Sequence, residues 1–249
     1  MSGVLFACIA GFACGPIAAG HAQGALPAEH ERPSRTAEFT WNGKRLSAKQ
    51  LDALEKGKVL VELSAVPQSS VKKATAVALI DAPPTEVFAV LTEYADFPSF
   101  MPYCRKVEVR KKEGEQSWVH FSLDFPWPIG DRHYVLVLKD CEELKDGTTV
   151  FISSWTYEPG SGNINDSYGS WEVRAYGSGR SLVYYTVFTD PGGSLPNWAS
   201  NAATEVAVPK VIAGLRERVE EKGRRNAAGS GEEQTGPKKD GEQAERSDG

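Results

Sequence analysis

The sequence predicts an α+β domain: a curved antiparallel β-sheet wrapped around one long C-terminal α-helix, with an internal hydrophobic cavity. Three observations carry that expectation. From Val107 to Val187, apolar residues recur with period two in about six runs, punctuated by turn pairs such as Glu113-Gly114 and Asp146-Gly147. From Leu195 to Glu221 the spacing changes to that of an amphipathic helix. Between these patterns no other late element is available to cover the concave face of so large a sheet. A strongly bent sheet gripping one helix seldom closes tightly, and the gap becomes an elongated apolar hollow.

Composition narrows the functional classes. The chain has 249 residues, of which 41% are hydrophobic and 24% charged, enough for one good core. Its net charge of −5 argues against a phosphate-backbone binder, so no nucleic-acid partner is expected. Four cysteines are too few for a disulfide scaffold. No stretch after the first 30 residues approaches the roughly 20 apolar residues that a membrane helix needs.

The elements follow in order. Residues 1–22 read as a secretory signal peptide. No charge occurs from Ser2 to Ala28, Val4 to Ala13 is apolar, and Gly20-His21-Ala22 supplies the small residues of a cleavage site. Export to a periplasm or to the exterior follows; an uncleaved anchor is the alternative. Residues 23–46 read as a polar linker. Ser47 caps a short helix, Ala48 to Lys56, with Gly57 as its stop. Val59 to Leu63 and Val71 to Ile80 read as strands. Asp81 or Ala82 caps the next helix, whose first turn takes Pro83 and Pro84 and whose core face is Val87, Val90, Leu91 and Tyr94. Phe97-Pro98-Ser99-Phe100-Met101-Pro102 ends it. The meander then runs through Val119-Phe121-Leu123, Tyr134-Leu136-Leu138, Phe151-Ser153-Trp155, Trp171-Val173 and Val183-Tyr185-Val187. The last helix carries Trp198, Ala202, Val206, Ile212, Leu215 and Val219, with Pro209 as a kink. Residues 223–249 lack aromatic and branched aliphatic side chains and read as a disordered tail, which leaves 47–222 as the domain.

Three motifs carry a family resemblance, in this order: Ile80 to Leu91 followed by Tyr94-Ala95-Asp96-Phe97-Pro98; Pro126-Trp127-Pro128-Ile129-Gly130-Asp131-Arg132; and Asp190-Pro191-Gly192-Gly193-Ser194-Leu195-Pro196-Asn197-Trp198. From about Lys58 to Lys222 the chain resembles the START-like, helix-grip superfamily (SRPBCC). That group includes StAR-related lipid-transfer, polyketide cyclase and coenzyme-Q-binding-like proteins, and the third motif is most similar to a bacterial START-type lipid-binding branch. The resemblance implies a cavity for a lipid, sterol or similar hydrophobic small molecule, roofed by the last helix, in a monomer that makes transient membrane contact. It implies no enzyme activity, cofactor or metal. A cyclase/aromatase-like enzyme and a quinone-binding assembly factor remain alternatives on the same scaffold.

Candidate residues follow from position. The loop bearing Phe97, Phe100, Met101 and Tyr103, together with Trp198, is expected to form the mouth, with Ala202 and Val206 continuing the roof. Arg132 either meets a ligand head group or closes its loop in an ion pair with Asp131. His120 and His133 are the imidazoles within the sheet, and either turns to solvent with one step of strand parity. Among the aromatics, Trp155, Trp171 and Tyr185 are favoured for the cavity wall, beside Tyr134 and Trp127. Cys104 and Cys141 are expected to be unpaired thiols, because they fall towards opposite ends of the sheet.

Overall fold

A computed structural model describes residues 39–127, 129–145, 147–193 and 197–229; along 197–204 it describes the backbone alone. The proposed signal peptide, most of the proposed linker and the end of the tail lie outside the described residues.

Period-two patterning produces the expected sheet. Its strands are β3 (Leu60–Ser64), β4 (Lys73–Ile80), β5 (Cys104–Glu113), β6 (Gln116–Asp124), β7 (Asp131–Lys145), β8 (Thr148–Tyr157), β9 (Asp166–Ala175) and β10 (Ser181–Asp190). They form one antiparallel sheet in the order β3-β4-β10-β9-β8-β7-β6-β5, so the meander from β5 to β10 closes back on β4. Gly114 and Gly147 take positive φ at two of the hairpins, a conformation open to residues without a Cβ.

The helices are α1 (Ala48–Glu55), α2 (Pro84–Thr92) and α3 (Asn197–Gly229), with a 3₁₀ segment at Tyr94–Ser99 after α2. Ser47 caps α1 through a reciprocal pair: its hydroxyl accepts from the Gln50 amide at 3.3 Å, and Gln50 Oε1 accepts from the Ser47 amide at 2.9 Å. The cap of α2 differs from expectation. Pro83 occupies the position, without a side-chain hydrogen bond, because proline already fixes the entry angle and has no amide to satisfy.

Two boundaries also differ. The stretch read as linker ends in a small hairpin, β1 (Thr40–Trp41) with β2 (Lys44–Arg45), and Leu46 is buried beside it. Phe39, Trp41 and Leu51 pack with Leu46, Leu54, Val77, Leu79, Tyr176 and Leu182. Helix α3 runs on to Gly229, past the boundary placed at Lys222, where Arg224 and Arg225 pair with Glu220 and Glu221 one turn back.

These packings explain why β4 is buried almost throughout rather than alternating. Its odd residues, Val77 and Leu79, lie under α1 and the hairpin on the outer face. Its even residues face inward, where Ala74 and Ala76 meet Val208 of α3, and Ala78 and Ile80 join the main core. That core also takes Val87, Val90 and Leu91 of α2 with Ile212, Leu215 and Val219 of α3. Gly214 permits the close crossing of α3 over the 3₁₀ segment: a Cβ there would stand 2.2 Å from the Phe100 carbonyl oxygen. Cys104 and Cys141 are not joined in a disulfide.

Candidate functional site

Strand parity decides which side chains reach the concave face. On β7 the even positions Arg132, Tyr134, Leu136 and Leu138 point inward, as do Phe121 and Leu123 on β6, Ser153 and Trp155 on β8, Ser167 and Trp171 on β9, and Tyr185, Val187 and Thr189 on β10. Ala207, Val208 and Val211 of α3 oppose them. These walls leave a space between them. They enclose a cavity of about 230 Å³, far above the ~10–15 Å³ that admits a single water.

The middle of the cavity is aromatic. Trp171 and Tyr185 stack at 3.9 Å between ring centroids, and the Trp155 ring lies 6.1 Å from that of Tyr185. Gly169 makes room for Trp155: a Cβ would lie 2.3 Å from the indole. Burial pushes the Tyr134 and Tyr185 phenols well above their ordinary range, so both remain neutral donors. Burial likewise raises the Cys104 thiol to about 11.

The two ends differ in chemistry. At one end, the mouth, lie Met101, Pro102, Tyr103, Phe125, Ile129, Ile164 and Pro191, with Lys72 and Arg132 as cations on its wall. Arg132 Nε donates to the Pro191 carbonyl at 2.9 Å and Nη1 to the Asp131 carbonyl at 2.9 Å. The guanidinium therefore ties the chain after β10 to the start of β7, while the Asp131 carboxylate faces Arg105 at 3.7 Å instead. The expected Asp131–Arg132 ion pair is replaced by bonds to carbonyls. Tyr103, at positive φ, lies against Phe125 with the rings tilted by 35° and receives a hydrogen bond from Lys210 at 3.3 Å. Ser167 and Thr189 share a hydroxyl bond of 3.0 Å on the same side. The other end, the floor, is formed by Leu91, Leu138 and Ser153.

Of the residues expected from sequence, Phe97, Met101, Tyr103, Arg132, Tyr134, Trp155, Trp171 and Tyr185 are brought together around this cavity. Four are not. Phe100 packs edge-on against Phe97 between the 3₁₀ segment and α3, in the core rather than on the cavity wall. Trp127 is 91% exposed, at the tip of the β6–β7 loop. Val206 is 54% exposed, because the inward face of α3 runs through Val208, Val211 and Ile212. His120 lies on the outer face, since its neighbours Val119 and Phe121 point in; its ring sits near His133 and 3.8 Å from Glu108. Its pKa is lowered, chiefly by burial. The side chains of Trp198 and Ala202 lie outside the described residues. Sequence reasoning missed Ser153, which shares the parity of Trp155, and Val208 and Val211, which continue the spacing of Ile212, Leu215 and Val219. Lys72 carries no pattern that could have singled it out. Among the described residues no cluster of His, Cys, Asp and Glu is arranged to hold a metal, and no helix is long and apolar enough to cross a membrane.

Comparison with known proteins agrees with this architecture. The family described as polyketide cyclase / dehydrase and lipid transport matches residues 80–216. A Pseudomonas aeruginosa protein of undescribed function is 30% identical over 169 residues, spanning 66% of this chain and 83% of its own length. The phosphatidylcholine transfer protein of Bos taurus is 27% identical over 118 residues, 44% of this chain and 55% of that one. Among solved structures, a STAR-related lipid transfer protein from Xanthomonas axonopodis superposes with a TM-score of 0.56 at 20% identity, over 65% of this chain and 93% of that chain. Human STARD10 superposes with a TM-score of 0.58 at 12% identity, over 78% and 86% of the two chains. At these identities the two structures establish the START-type, helix-grip fold.

Proposed function

The chain belongs to the polyketide cyclase / dehydrase and lipid transport family, and on that premise we propose that it is a non-enzymatic carrier of a lipid, sterol or similar hydrophobic small molecule. The unfilled aromatic cavity roofed by Ala207, Val208 and Val211 carries this reading. Its driving force is partition: each 100 Å² of apolar ligand surface withdrawn from water contributes about 2.5 kcal/mol. The Tyr134 and Tyr185 phenols and the polar groups at the two ends set orientation within an otherwise apolar wall. Both His120 and His133 lie off the cavity wall, so neither imidazole is placed to act on a guest, which favours holding over turnover. The phosphatidylcholine transfer protein among the relatives supports the same reading.

Exchange with a membrane takes place at the mouth. The exposed Trp127 supplies an aromatic contact suited to the bilayer interface, Met101 and Tyr103 line the mouth, and Lys72 and Lys210 add positive charge. The apolar run Val4 to Ala13 supports the reading that the carrier is exported. Native mass spectrometry of protein purified from its own host, with organic extraction, tests the proposal. A stoichiometric lipid is expected. Empty protein that also fails to move lipid between vesicles overturns it.

A further inference from the structure

Two phenols on the cavity wall find no hydrogen-bond partner among the described residues. Tyr134 comes from β7 and Tyr185 from β10, strands separated by β9 and β8, and the bend of the sheet turns both rings into the same hollow. Stacking holds each ring in place: Tyr134 on Phe121 at 6.0 Å between centroids, and Tyr185 on Trp171. Tyr134 is only 8% exposed. Neither phenol oxygen, however, is among the unpartnered polar atoms that the fold seals from solvent, as the Tyr184 phenol is on the other face. Each oxygen therefore keeps accessible surface, and the space it faces is the cavity. Burial raises both phenols well above their ordinary range, and Tyr185 adds to the shift at Tyr134, so the two groups lie within electrostatic reach of each other. Both keep their protons.

A hydrocarbon guest that expels water from such a wall leaves two donors unmet, and each unmet donor costs affinity. A carbonyl oxygen has two lone pairs and no proton, so it complements the phenols. A hydroxyl that accepts from both is left with its own proton unmet among aromatic rings. A carboxylate also accepts, but has to shed its hydration in an apolar wall. Apolar side chains continue on both sides, Met101 and Ile129 towards the mouth and Leu91 and Leu138 towards the floor. We propose that Tyr134 and Tyr185 form a carbonyl-recognition site within the cavity, selecting an apolar ketone or ester whose carbonyl lies between two hydrocarbon arms. This rests on the reading of the cavity as a hydrophobic binding site and specifies the class of molecule it holds.

Displacement of anilinonaphthalene sulfonate from the full chain by three ligands separates the two ideas: dipentyl ketone, undecane, in which a methylene replaces the carbonyl, and dipentyl carbinol, in which a hydroxyl does. Ratios of displacing concentrations are measured in the wild type, Tyr134→Phe, Tyr185→Phe and the double variant; solubility differences between the ligands cancel in that comparison. The preference for ketone over undecane should fall about fivefold in each single variant, the worth of one buried hydrogen bond, and further in the double variant. Undecane should displace the probe at the same or a lower concentration throughout, which also shows that the variants are folded. The carbinol should lose less than the ketone between the wild type and the double variant. A ketone preference unmoved in either single variant, or a carbinol that loses as much as the ketone, overturns the carbonyl site and leaves the hydrophobic binding reading standing. If none of the three displaces the probe from the wild type, both fail.

Discussion

Helix α3 behaves as two different elements on either side of Val211. From Ile212 onward it is a core helix: Ile212 and Leu215 are fully buried, and several of its charged side chains reach other segments. Arg216 donates to the carbonyls of Leu79 and Gly57, Arg218 pairs with Asp96 at 2.6 Å, and Lys222 pairs with Glu93. Just upstream the same helix faces a hollow. Ala207, Val208 and Val211 border the cavity, and of these Val208 also packs on Ala74 and Ala76 of β4. One amphipathic stripe thus supplies an anchor and a roof. The anchor makes the roof tolerable, because the cost of the unfilled space beneath one stretch is offset by close packing of the next.

If the division is real, substitutions in the two stretches will differ most in stability. Leu215→Ala removes a fully buried side chain between α2 and the sheet and should cost about 2–5 kcal/mol, seen as a lower urea midpoint at unchanged slope. The cavity wall responds to pH instead. In the folded chain the Cys104 thiol is raised to about 11 by burial, whereas in the unfolded chain it titrates near its ordinary value. The folded state keeps its proton longer. This contribution is fully present below about pH 9 and is lost as pH rises through 11. Urea midpoints of wild type and Cys104→Ala should therefore converge or cross between pH 8 and pH 10.5, by about 2 kcal/mol at most. An unchanged difference would mean that the thiol is not in an apolar wall. Arg218→Leu, which unties the anchor from the 3₁₀ segment, should cost about 1 kcal/mol and less in high salt, because the pair is only partly buried.

How much of this division the sequence reveals follows from the range of each signal. The six-strand meander is legible because period-two alternation is local: Phe121-Leu123 and Tyr134-Leu136-Leu138 need no partner to show which face they share. The anchor is legible for the same reason, since Ile212, Leu215 and Val219 keep helical spacing. The roof is not. Val206 fits an apolar periodicity on paper, but the rotation of α3 is fixed by Gly214 against Phe100 and by Arg216 reaching Leu79, contacts between segments far apart in the chain. The outward turn of Trp127 is equally non-local, since a loop tip has no period to read. The hairpin before α1 escapes because two-residue strands carry almost no pattern, and only Phe39, Trp41 and Leu46 hint that the polar stretch has something to bury.

The sharpest comparison uses neighbouring positions and the smallest stability change. Val211 and Ile212 are adjacent in sequence, yet Val211 borders the cavity whereas Ile212 is locked among core side chains. Val211→Phe places a ring into existing space, so its stability should stay within about 1 kcal/mol of wild type, with either sign. Ile212→Phe has no such space and should lose about 1–3 kcal/mol through strained rotamers and shifted backbone. Binding runs the other way. Val211→Phe narrows the cavity beneath the roof and should abolish displacement of anilinonaphthalene sulfonate by dipentyl ketone, while Ile212→Phe keeps it at temperatures where the variant is folded. Equal stability losses in the two variants would show that the roof is as tightly packed as the anchor. There would then be no hollow for a guest, and α3 would be a core helix over its whole buried length.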